Sequence, residues 1–418
     1  MSGDGGIKSV LFLAPESPYP LHGGGQYRTA SLIHYFSAFA QVDLILISQN
    51  GTPALLPPGL VRSQTVIPLS KHGKGTLERY ARNARRALLG VPPLIDRLSG
   101  LGPAITSAIG ERRYDLGIIE HFWLAPYVAE LDAVCSQTLL DLHNVESMLH
   151  RSCAKADTGL VGAGHRRFAG VSRKLEAKLL PRFGTVLAAS ESDQAVARKI
   201  APDARIEVYP NALPALGASG KEISAQSGRP LVVFSGNFEY HPNVDAVGFL
   251  LREIWPEVRR QRPDLRLRLV GRGDSFVRHL LPHGVPRGCG IELTGPVPDA
   301  RAEIASASVV IAPLRMGSGT RIKILEGWAA SRAVVATPLA AEGLAFQDGQ
   351  NIAIAESPDA FAKAILRLAG DAGERERLAD RGRRTFERHY TWEVAWRKLD
   401  ACLQVTRPAE LSRYTGTI

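Results

Sequence analysis

The chain has 418 residues, which is too long for one ordinary domain, and two domains of about 200 residues each are expected. Its 45% hydrophobic and 22% charged residues are typical of a globular protein. No apolar run approaches the roughly 18 residues that span a bilayer, and the N-terminus lacks the basic region and cleavage site of a signal peptide. The four cysteines have no C-x-x-C spacing, so we expect neither a disulfide framework nor a zinc site, and a cytoplasmic location.

The formal net charge of +10 is concentrated in two segments. Between Lys71 and Arg86 there are six Lys/Arg against one acid, and between Arg151 and Arg182 there are eight against two. Basic helical faces favour anionic partners such as membrane lipid, nucleic acid or a phosphorylated substrate, although a solvated surface face has the same pattern. Aromatic residues are not interleaved with the basic ones, which argues against nucleic acid. The segments therefore predict either peripheral association with an anionic membrane surface, at its inner face, or binding of a polyanionic acceptor.

Apolar β-rich runs and amphipathic stretches alternate along the chain. In the first half the predicted strands are 9–14, 42–47, 66–68, 115–119, 138–141, 185–189 and 206–209, and the predicted helices are 26–40, 77–89 and 164–180. A small, polar, glycine- and serine-rich stretch at 213–229 is typical of a linker. In the second half the predicted strands are 231–235, 265–270, 291–294, 309–312 and 334–337, with helices at 243–255 and 385–403. Two βα-repeating halves predict two doubly wound α/β domains, whose ligands bind at the carboxyl ends of the strands.

The stretch 311–330 has the order strand, glycine loop, helix. This order directs free backbone N–H groups and the positive end of a helix dipole at an anion. Arg321 and Lys323 add two positive charges in the first helical turn, and Glu326 follows as a carboxylate able to accept ribose hydroxyls. We interpret the stretch as a diphosphate site, although exposed first-turn charges and an i,i+3 ion pair between Lys323 and Glu326 would give the same pattern.

Several segments at predicted strand ends carry a resemblance to a known family. In the second half they are 231–238 with Pro242 and Asn243, 269–273, 317–326, and Thr337 and Pro338 with 342–344. In the first half they are 23–25 with Arg28, 141–146, 190–193, and Pro210 with Asn211. In this order, the segments together resemble glycosyltransferase family 4 over nearly the whole chain.

The resemblance implies the GT-B fold, an α/β fold with two doubly wound Rossmann-like domains facing a central cleft and a C-terminal helix crossing back to the first domain. It implies an acceptor-side domain at 1–212, a linker at 213–229, a nucleotide-sugar donor domain at 230–385, and the crossing helix with a tail at 386–418. It further implies a retaining hexosyltransferase that moves a sugar from a nucleotide-diphosphate sugar to a glycan, lipid-linked or small-molecule acceptor, in polysaccharide or glycoconjugate biosynthesis.

The expected site residues come from both halves of the chain. Arg321 and Lys323 are expected to be catalytic, because negative charge grows on the β-phosphate during transfer. The resemblance implies that His143 is catalytic too, facing the donor sugar and supporting its position and partial charge. Donor contacts are expected from Gly24, Gly25, Gly236, Asn237, Arg272, Gly317, Ser318, Gly319, Thr320 and Glu326. Acceptor contacts are expected from Arg28, His121 and Glu146. The family's donor signature has two glutamates separated by seven residues, and Ser318 stands where the first of them is expected.

The sequence shows neither the Asp-x-Asp motif of metal-dependent transferases nor the paired carboxylates of a glycosidase. We therefore expect no metal and no cofactor beyond the donor as cosubstrate. The resemblance also implies that no general base is needed, since the leaving phosphate can accept the acceptor proton. Two alternatives stay open: a nucleotide-sugar epimerase of the same fold, and a basic nucleic-acid-binding module, whose binding would depend steeply on salt. A dehydrogenase is disfavoured because Gly-x-Gly-x-x-Gly is absent after the first strand of either half.

Overall fold

The structure is a computed structural model that describes residues 6–21, 23–49, 51–69, 76–156, 159–215, 230–281, 290–297, 299–316 and 322–405. These residues divide into two compact units. Unit 1 contains the chain up to Asn211 together with the segment that begins at Trp396, and unit 2 contains Ala212–Ala395. Leu213, at the start of the predicted linker, is buried in unit 2 and forms a parallel bridge with Thr391. Residues 216–229 of that linker lie outside the described residues.

Unit 1 is built on a parallel sheet of seven strands. In chain order they are β1 (Ser9–Ala14), β2 (Gln41–Ser48), β3 (Ser63–Pro68), β4 (Tyr114–Glu120), β5 (Cys135–Leu142), β6 (Thr185–Ala188) and β7 (Ile206–Val208). The order across the sheet is β3-β2-β1-β4-β5-β6-β7. The helices are α1 (Gly24–Ser37), α2 (Thr76–Leu89), α3 (Pro93–Arg97), α4 (Gly102–Ile109), α5 (Val128–Asp132), α6 (Glu146–Ala156), α7 (Gly159–Leu179) and α8 (Glu191–Ile200).

Unit 2 is built on a second parallel sheet, of six strands. They are β8 (Leu231–Ser235), β9 (Arg266–Val270), β10 (Ile291–Gly295), β11 (Val309–Ala312), β12 (Ala333–Ala336) and β13 (Ala353–Ile354), in the order β10-β9-β8-β11-β12-β13. The helices are α9 (His241–Phe249), α10 (Trp255–Gln261), α11 (Ser275–Arg278), α12 (Ala300–Ala305), α13 (Ile322–Ala329), α14 (Pro338–Ala341), α15 (Pro358–Gly370), α16 (Ala372–His389) and α17 (Trp392–Leu403). Helix α17 begins in unit 2, and its residues from Trp396 onward belong to unit 1.

The central strands are buried on both faces, which explains why they read as continuous apolar runs instead of alternating ones. Residues of β1, β8 and β11 such as Phe12, Phe234 and Ile311 have no exposed surface. Helices α1, α13 and α15 pack on the faces of the sheets with their buried residues. The prediction of two doubly wound α/β domains is therefore confirmed.

Each sheet has one point where its strand order turns. In unit 1 this point lies between β1 and β4, and in unit 2 between β8 and β11. Helical crossovers leave these neighbouring strands in opposite directions, so a crevice opens at their carboxyl ends, and doubly wound sheets bind ligands there. The loops that follow Ala14, Glu120, Ser235 and Ala312 therefore occupy the positions where site residues are expected.

Several element boundaries differ from those predicted. Strand β3 begins three residues before the predicted 66–68, and the short edge strand β13 has no predicted counterpart. The helix predicted at 385–403 is wrong as one continuous element, because α16 ends at His389 and α17 begins at Trp392. The bridge between Thr391 and Leu213 takes this part of the backbone out of the helix. Across the described ranges, the structure contains no helix with the length and hydrophobicity needed to cross a bilayer.

Candidate active site

The turning point of the unit 1 sheet holds a buried cluster of one imidazole and two carboxylates. Glu120 ends β4 and pairs in register with Asp141 on β5, so that the two acids lie side by side. His143 follows the end of β5, and its Nε2 lies 2.8 Å from Glu120 Oε2 and 3.1 Å from Asp141 Oδ2. Thr29 on α1 donates a further hydrogen bond of 2.9 Å to Glu120 Oε2. The imidazole edge is therefore fixed by two acids on neighbouring strands.

Arg28, expected as an acceptor contact, lies instead in the interior of unit 1. Its side chain is 1% exposed, and its Nε donates to both oxygens of Asp141 at 2.8 Å. A second guanidinium nitrogen donates to the Tyr209 carbonyl at 2.6 Å and to Asn211 Oδ1 at 3.0 Å. Helix α1 carries Arg28 on the face that it buries against the sheet, so the residue serves as the counterion of Asp141 and connects β5 to the chain beyond β7.

The charges in this cluster decide its protonation. Burial alone would lower the pKa of His143, but Asp141 and Glu120 outweigh it and raise that pKa to about 9. Burial would raise the pKa of Asp141, yet Arg28 and His143 hold it below its usual range. Burial and the Asp141 charge raise the pKa of Glu120 to about 7. At neutral pH His143 is therefore an imidazolium that donates hydrogen bonds to the acids.

Gly25 on α1 approaches this cluster closely. A β-carbon at this position would lie 2.6 Å from Glu16 Oε1, 3.5 Å from His121 Nε2 and 3.7 Å from His143 Nδ1. The glycine therefore keeps the space in front of both imidazole rings clear of a side chain, and the backbone of Gly24 and Gly25 reaches that space directly. The expected contacts Gly25, His121 and His143 are brought together here, with Glu16 as an additional member.

Glu146 lies at the start of α6 and is contacted by Trp123, from the segment that follows β4. Trp123 Nε1 donates to Glu146 Oε1 at 2.9 Å, and the Trp123 ring stacks on that of His121 with centroids 4.3 Å apart. Burial raises the pKa of Glu146 to about 7, and the nearby Glu176 adds to the effect. Glu176 itself is fully buried and accepts from the backbone N–H of Ser147 at 2.9 Å. Glu146 is therefore a buried acid next to the ring stack.

Glu120, Asp141 and His143 are also the group of described residues whose ligand atoms lie close enough to hold a metal ion, all within 4.8 Å of one another. In this structure the donor atoms bond to one another and to Arg28, since His143 Nε2 lies beside both acids and Arg28 neutralises Asp141. The hydrogen-bonded ion cluster accounts for the arrangement.

The turning point of the unit 2 sheet brings together Gly236, Asn243 and Lys323. A β-carbon on Gly236, directly after β8, would lie 2.8 Å from Lys323 Nζ and 3.0 Å from Asn243 Nδ2. Asn243 Nδ2 donates to the Asn237 carbonyl at 2.7 Å, which fixes the loop after β8. Lys323 Nζ stands 5.5 Å from the centroid of the Phe234 ring. The ammonium group is thus held over glycine backbone at the carboxyl edge of the sheet, where the N-terminus of α13 also points.

Glu326 lies one turn after Lys323 on α13. The Ser235 hydroxyl at the end of β8 approaches Glu326 Oε2 at 3.4 Å. Burial raises the pKa of Glu326 to about 7, and the Lys323 charge opposes that effect. A carboxyl group held in this way is suited to hydrogen bonds with hydroxyl groups.

The loop after β9 packs against the loop after β8. Gly271 has φ 143°, and a β-carbon there would lie 1.9 Å from the Gly236 carbonyl oxygen, so only glycine fits. The Arg272 carbonyl accepts from Phe238 N at 2.9 Å, and the Arg272 side chain is exposed. The expected donor residues Gly236, Asn237 and Arg272 thus come from two adjoining loops.

Five expected residues lie outside the described residues: Gly317, Ser318, Gly319, Thr320 and Arg321. Their roles remain predictions. The chain before them is anchored by Arg315, which donates to Asp245 at 2.7 Å and lies over the Phe249 ring at 4.5 Å.

Glu16 and Glu120 are absent from the predicted site residues. A signal for Glu120 exists, since it is an acid that ends a fully apolar run in the strand beside the one that carries Asp141. Glu16 stands in a long loop where no periodicity indicates a direction, and its distances from His121 Nε2 and from a β-carbon on Gly25 place it at the site.

Known proteins resemble different parts of the chain. Residues 229–371, within unit 2, match a family model described as glycosyl transferases group 1. A Klebsiella pneumoniae protein described as an uncharacterized 44.6 kDa protein in the cps region is 25% identical over 152 residues, which are 35% of this chain. That match spans only 39% of the Klebsiella protein.

Solved structures resemble the chain over most of its length. Sucrose-phosphate synthase from Thermosynechococcus elongatus has a TM-score of 0.71 at 15% identity, over 95% of this chain and 98% of that one. Anabaena HepE in complex with UDP-glucose has a TM-score of 0.64 at 14% identity, over 95% of this chain and 99% of that one. WaaG, a glycosyltransferase involved in lipopolysaccharide biosynthesis, has a TM-score of 0.61 at 12% identity, over 94% of this chain and 99% of that one. At these identities the likeness establishes the fold, the predicted GT-B class.

Proposed function

We propose that the chain is a retaining glycosyltransferase of family 4, which moves a hexosyl group from a nucleotide-diphosphate sugar to a glycan, lipid-linked or small-molecule acceptor. The observation that carries the proposal is in unit 2. The segment that matches the group 1 glycosyl transferase model contains a turning point at which Lys323 is held over Gly236 and Glu326 lies one turn away. The complex of Anabaena HepE with UDP-glucose, a protein of the same fold, supports a nucleotide sugar as the donor.

The proposed chemistry depends on charge that develops on the leaving group. Transfer breaks the bond between the sugar and the β-phosphate, and the nucleoside diphosphate leaves with additional negative charge. The Lys323 ammonium and the positive end of α13 are placed to stabilise that charge. Arg321, outside the described residues, precedes α13 directly and adds a second cation in this proposal. Glu326, with Ser235 beside it, accepts hydrogen bonds from the ribose hydroxyls.

Unit 1 supplies the residues that act on the sugar and the acceptor in this proposal. His143, kept as an imidazolium by Asp141 and Glu120, donates a hydrogen bond to a sugar oxygen near Gly25. The leaving phosphate takes the proton of the acceptor hydroxyl, so the proposed reaction needs no general base and no metal. The expected outcome is a product with the anomeric configuration of the donor.

Polysaccharide or glycoconjugate biosynthesis is the proposed setting. The Klebsiella relative of the cps region and the likeness in fold to WaaG support it. The acceptor of such a process is a glycan or a lipid-linked saccharide, and both are among the proposed acceptors.

We further propose that unit 1 binds an anionic membrane surface through its basic helices. Leu88 and Leu89 at the end of α2 are 83% and 60% exposed, and Leu160 at the start of α7 is 92% exposed. Apolar side chains beside basic ones suit a lipid headgroup region. Arg86 does not belong to this surface, because it is buried and bonded to Asp96 at 2.7 Å. Lys71 and Lys74 lie outside the described residues.

A vesicle assay tests the membrane proposal. Reversing the charge of Arg82 and Arg85 together should weaken binding to phosphatidylglycerol vesicles, measured by sedimentation, by at least about 30-fold, at roughly 1 kcal/mol per basic residue near the surface. The control reverses Arg377 and Arg384 on α16, which changes the net charge equally on unit 2. Equal vesicle binding by the Arg82/Arg85 variant and the wild type would reject the proposal.

Incubation with a panel of UDP-, GDP-, ADP- and dTDP-sugars tests the catalytic proposal. With acceptor saccharides present, we expect release of one nucleoside diphosphate and a glycoside whose anomeric proton coupling matches that of the donor. A new nucleotide sugar formed without release of nucleoside diphosphate would support the epimerase alternative instead. Inverted configuration in the product would contradict the retaining mechanism.

A further inference from the structure

The backbone of His121 is strained at the centre of the unit 1 site. The residue has φ 66° and ψ 140°, a conformation that side chains with a β-carbon rarely adopt. It stands at the turn where β4 ends and the next helical segment begins. Strain of this kind persists where the surrounding structure holds a side chain in a direction that a relaxed backbone would not give. The surrounding structure therefore holds the His121 ring in its observed direction.

The His121 ring is held between two other rings. On one side lies His143, with ring centroids 3.5 Å apart, and on the other lies Trp123, at 4.3 Å and an interplanar angle of 10°. Both faces of the imidazole are covered, so only its edge can meet a ligand. Trp123 is in turn fixed by its hydrogen bond to Glu146. The stack therefore aims one edge of His121 and prevents the ring from turning away.

That edge carries an atom without a partner. His121 Nε2 is buried and has no hydrogen bond within the part of the chain that the structure describes. It lies 3.8 Å from Glu16 Oε1, too far for a direct bond, and close to the space that Gly25 leaves clear. A single oxygen atom at about 2.8 Å from both atoms would complete the pairing of Nε2.

We propose that His121 Nε2 and the Glu16 carboxylate together bind one hydroxyl group of the saccharide acceptor, an inference that rests on the proposed glycosyltransferase function. A hydroxyl group both accepts and donates, so it can accept from the Nε2–H of a neutral imidazole and donate to the carboxylate. A phosphate or carboxylate ligand would be repelled by Glu16 and would offer it no proton. The pair is thus selective for a neutral polyol.

The protonation of His121 agrees with this role. Burial and the neighbouring His143 charge lower the pKa of His121 to about 4, so the ring is neutral at physiological pH. A neutral ring carries one N–H, and the tautomer with hydrogen on Nε2 matches the proposed pairing. His121 and His143 are stacked and yet differ in charge, because the two acids face only His143.

Binding of methyl hexosides, followed by NMR titration in the presence of UDP, tests the inference. The probes are the methyl glycosides of glucose, galactose and mannose with their monodeoxy analogues. We expect at least one hexoside to bind the wild type and to bind His121→Phe about 3- to 10-fold more weakly, the loss of one neutral hydrogen bond. One monodeoxy analogue should bind the wild type more weakly than its parent hexoside by a similar factor. The same analogue and its parent should bind His121→Phe equally, because the hydroxyl and the imidazole act as a pair.

A second site variant and a control variant test the same pairing independently of His121→Phe. Glu16→Gln changes a partly exposed side chain and should weaken binding of the same hexoside, whereas Glu111→Gln, before the amino end of β4, should not. If His121→Phe does not fold, Glu16→Gln decides alone. Unchanged hexoside binding by both site variants, or binding of UDP but of no hexoside by the wild type, would overturn the inference while the proposed function stands. Failure of the wild type to bind any nucleoside diphosphate would instead count against the function.

Discussion

His143 depends on the two acids that surround its Nε2. Its charged form is favoured in the folded protein, since Asp141 and Glu120 raise its pKa to about 9, above the ordinary value of 6.5. The resulting stabilisation is fully present below pH 6.5 and is lost as the pH rises through 9. An imidazolium that donates a hydrogen bond to substrate should follow the same pH dependence, so the proposed role predicts an alkaline loss of activity.

Glu120→Gln tests this dependence at the residue scale. Removing one of the two carboxylates lowers the pKa of His143, so the alkaline limb of the kcat/KM profile should move to lower pH by about one unit. Glu111→Gln, an exposed change outside the cluster, should leave the limb in place. An unchanged limb in Glu120→Gln would show that this acid does not control the charge of His143.

Individual site residues were predictable where the chain gives a local signal. The alternation of strands and helices places His143 and Gly236 directly after strands, and Gly25 and Lys323 in the first turns of the helices that follow β1 and β11. The buried cluster around His143 does not follow, since Arg28, Glu120 and Asp141 are apart in sequence and meet only in the folded unit 1. Arg28, expected as an acceptor contact, lies inside unit 1 for that reason: its pairing with Asp141 is a tertiary contact.

At the scale of elements, the loops after β8 and β9 determine the shape of the unit 2 site. Gly271→Ala places a β-carbon against the backbone carbonyl of Gly236 at a φ of 143°, and neither backbone segment can yield without moving its strand. We expect a loss of about 2–4 kcal/mol in the free energy of unfolding, measured by urea denaturation.

Gly370→Ala is the matched control. Gly370 ends α15, and a β-carbon there meets nothing within 4 Å, so the change should alter stability by less than about 1 kcal/mol. A Gly271→Ala variant as stable as Gly370→Ala would contradict the packing of the two loops.

The existence of most strands was predictable because a buried parallel strand is an uninterrupted apolar run. Element ends were less predictable where tertiary contacts decide them. The apolar residues around Tyr390 favour one helix, yet the bridge of Thr391 with Leu213, nearly 180 residues away in the chain, interrupts it. Strand β13 pairs through two residues only and carries too short a pattern to be recognised.

At the scale of the whole molecule, unit 1 is assembled from two distant parts of the chain. Trp396 on α17 is buried and donates from Nε1 to the Ser31 carbonyl at 3.1 Å, and Tyr35 donates to Asp400 at 3.0 Å. The segment from Trp396 onward is therefore a component of the unit 1 core, although it follows all of unit 2 in sequence. The stability of unit 1 should depend on it.

Trp396→Ala should destabilise unit 1 by about 3–5 kcal/mol, the usual result of removing a buried tryptophan. The measurement is two-transition thermal unfolding, in which the transition assigned to unit 1 moves down and that of unit 2 stays. Arg397→Ala, the neighbouring exposed position, is the control and should move neither transition. Equal stability of Trp396→Ala and Arg397→Ala would contradict the assignment of this segment to unit 1.

The proposed nucleotide site of unit 2 is central to the proposed function, and calorimetric titration with nucleoside diphosphates tests it directly. We expect one of UDP, GDP, ADP and dTDP to bind the wild type, and Lys323→Ala to bind it about 10- to 100-fold more weakly, because a charge-assisted hydrogen bond is lost. Lys363→Ala, an exposed lysine of α15, should bind as the wild type does. Absence of binding by every nucleoside diphosphate, or equal binding by Lys323→Ala, would contradict the proposed donor site.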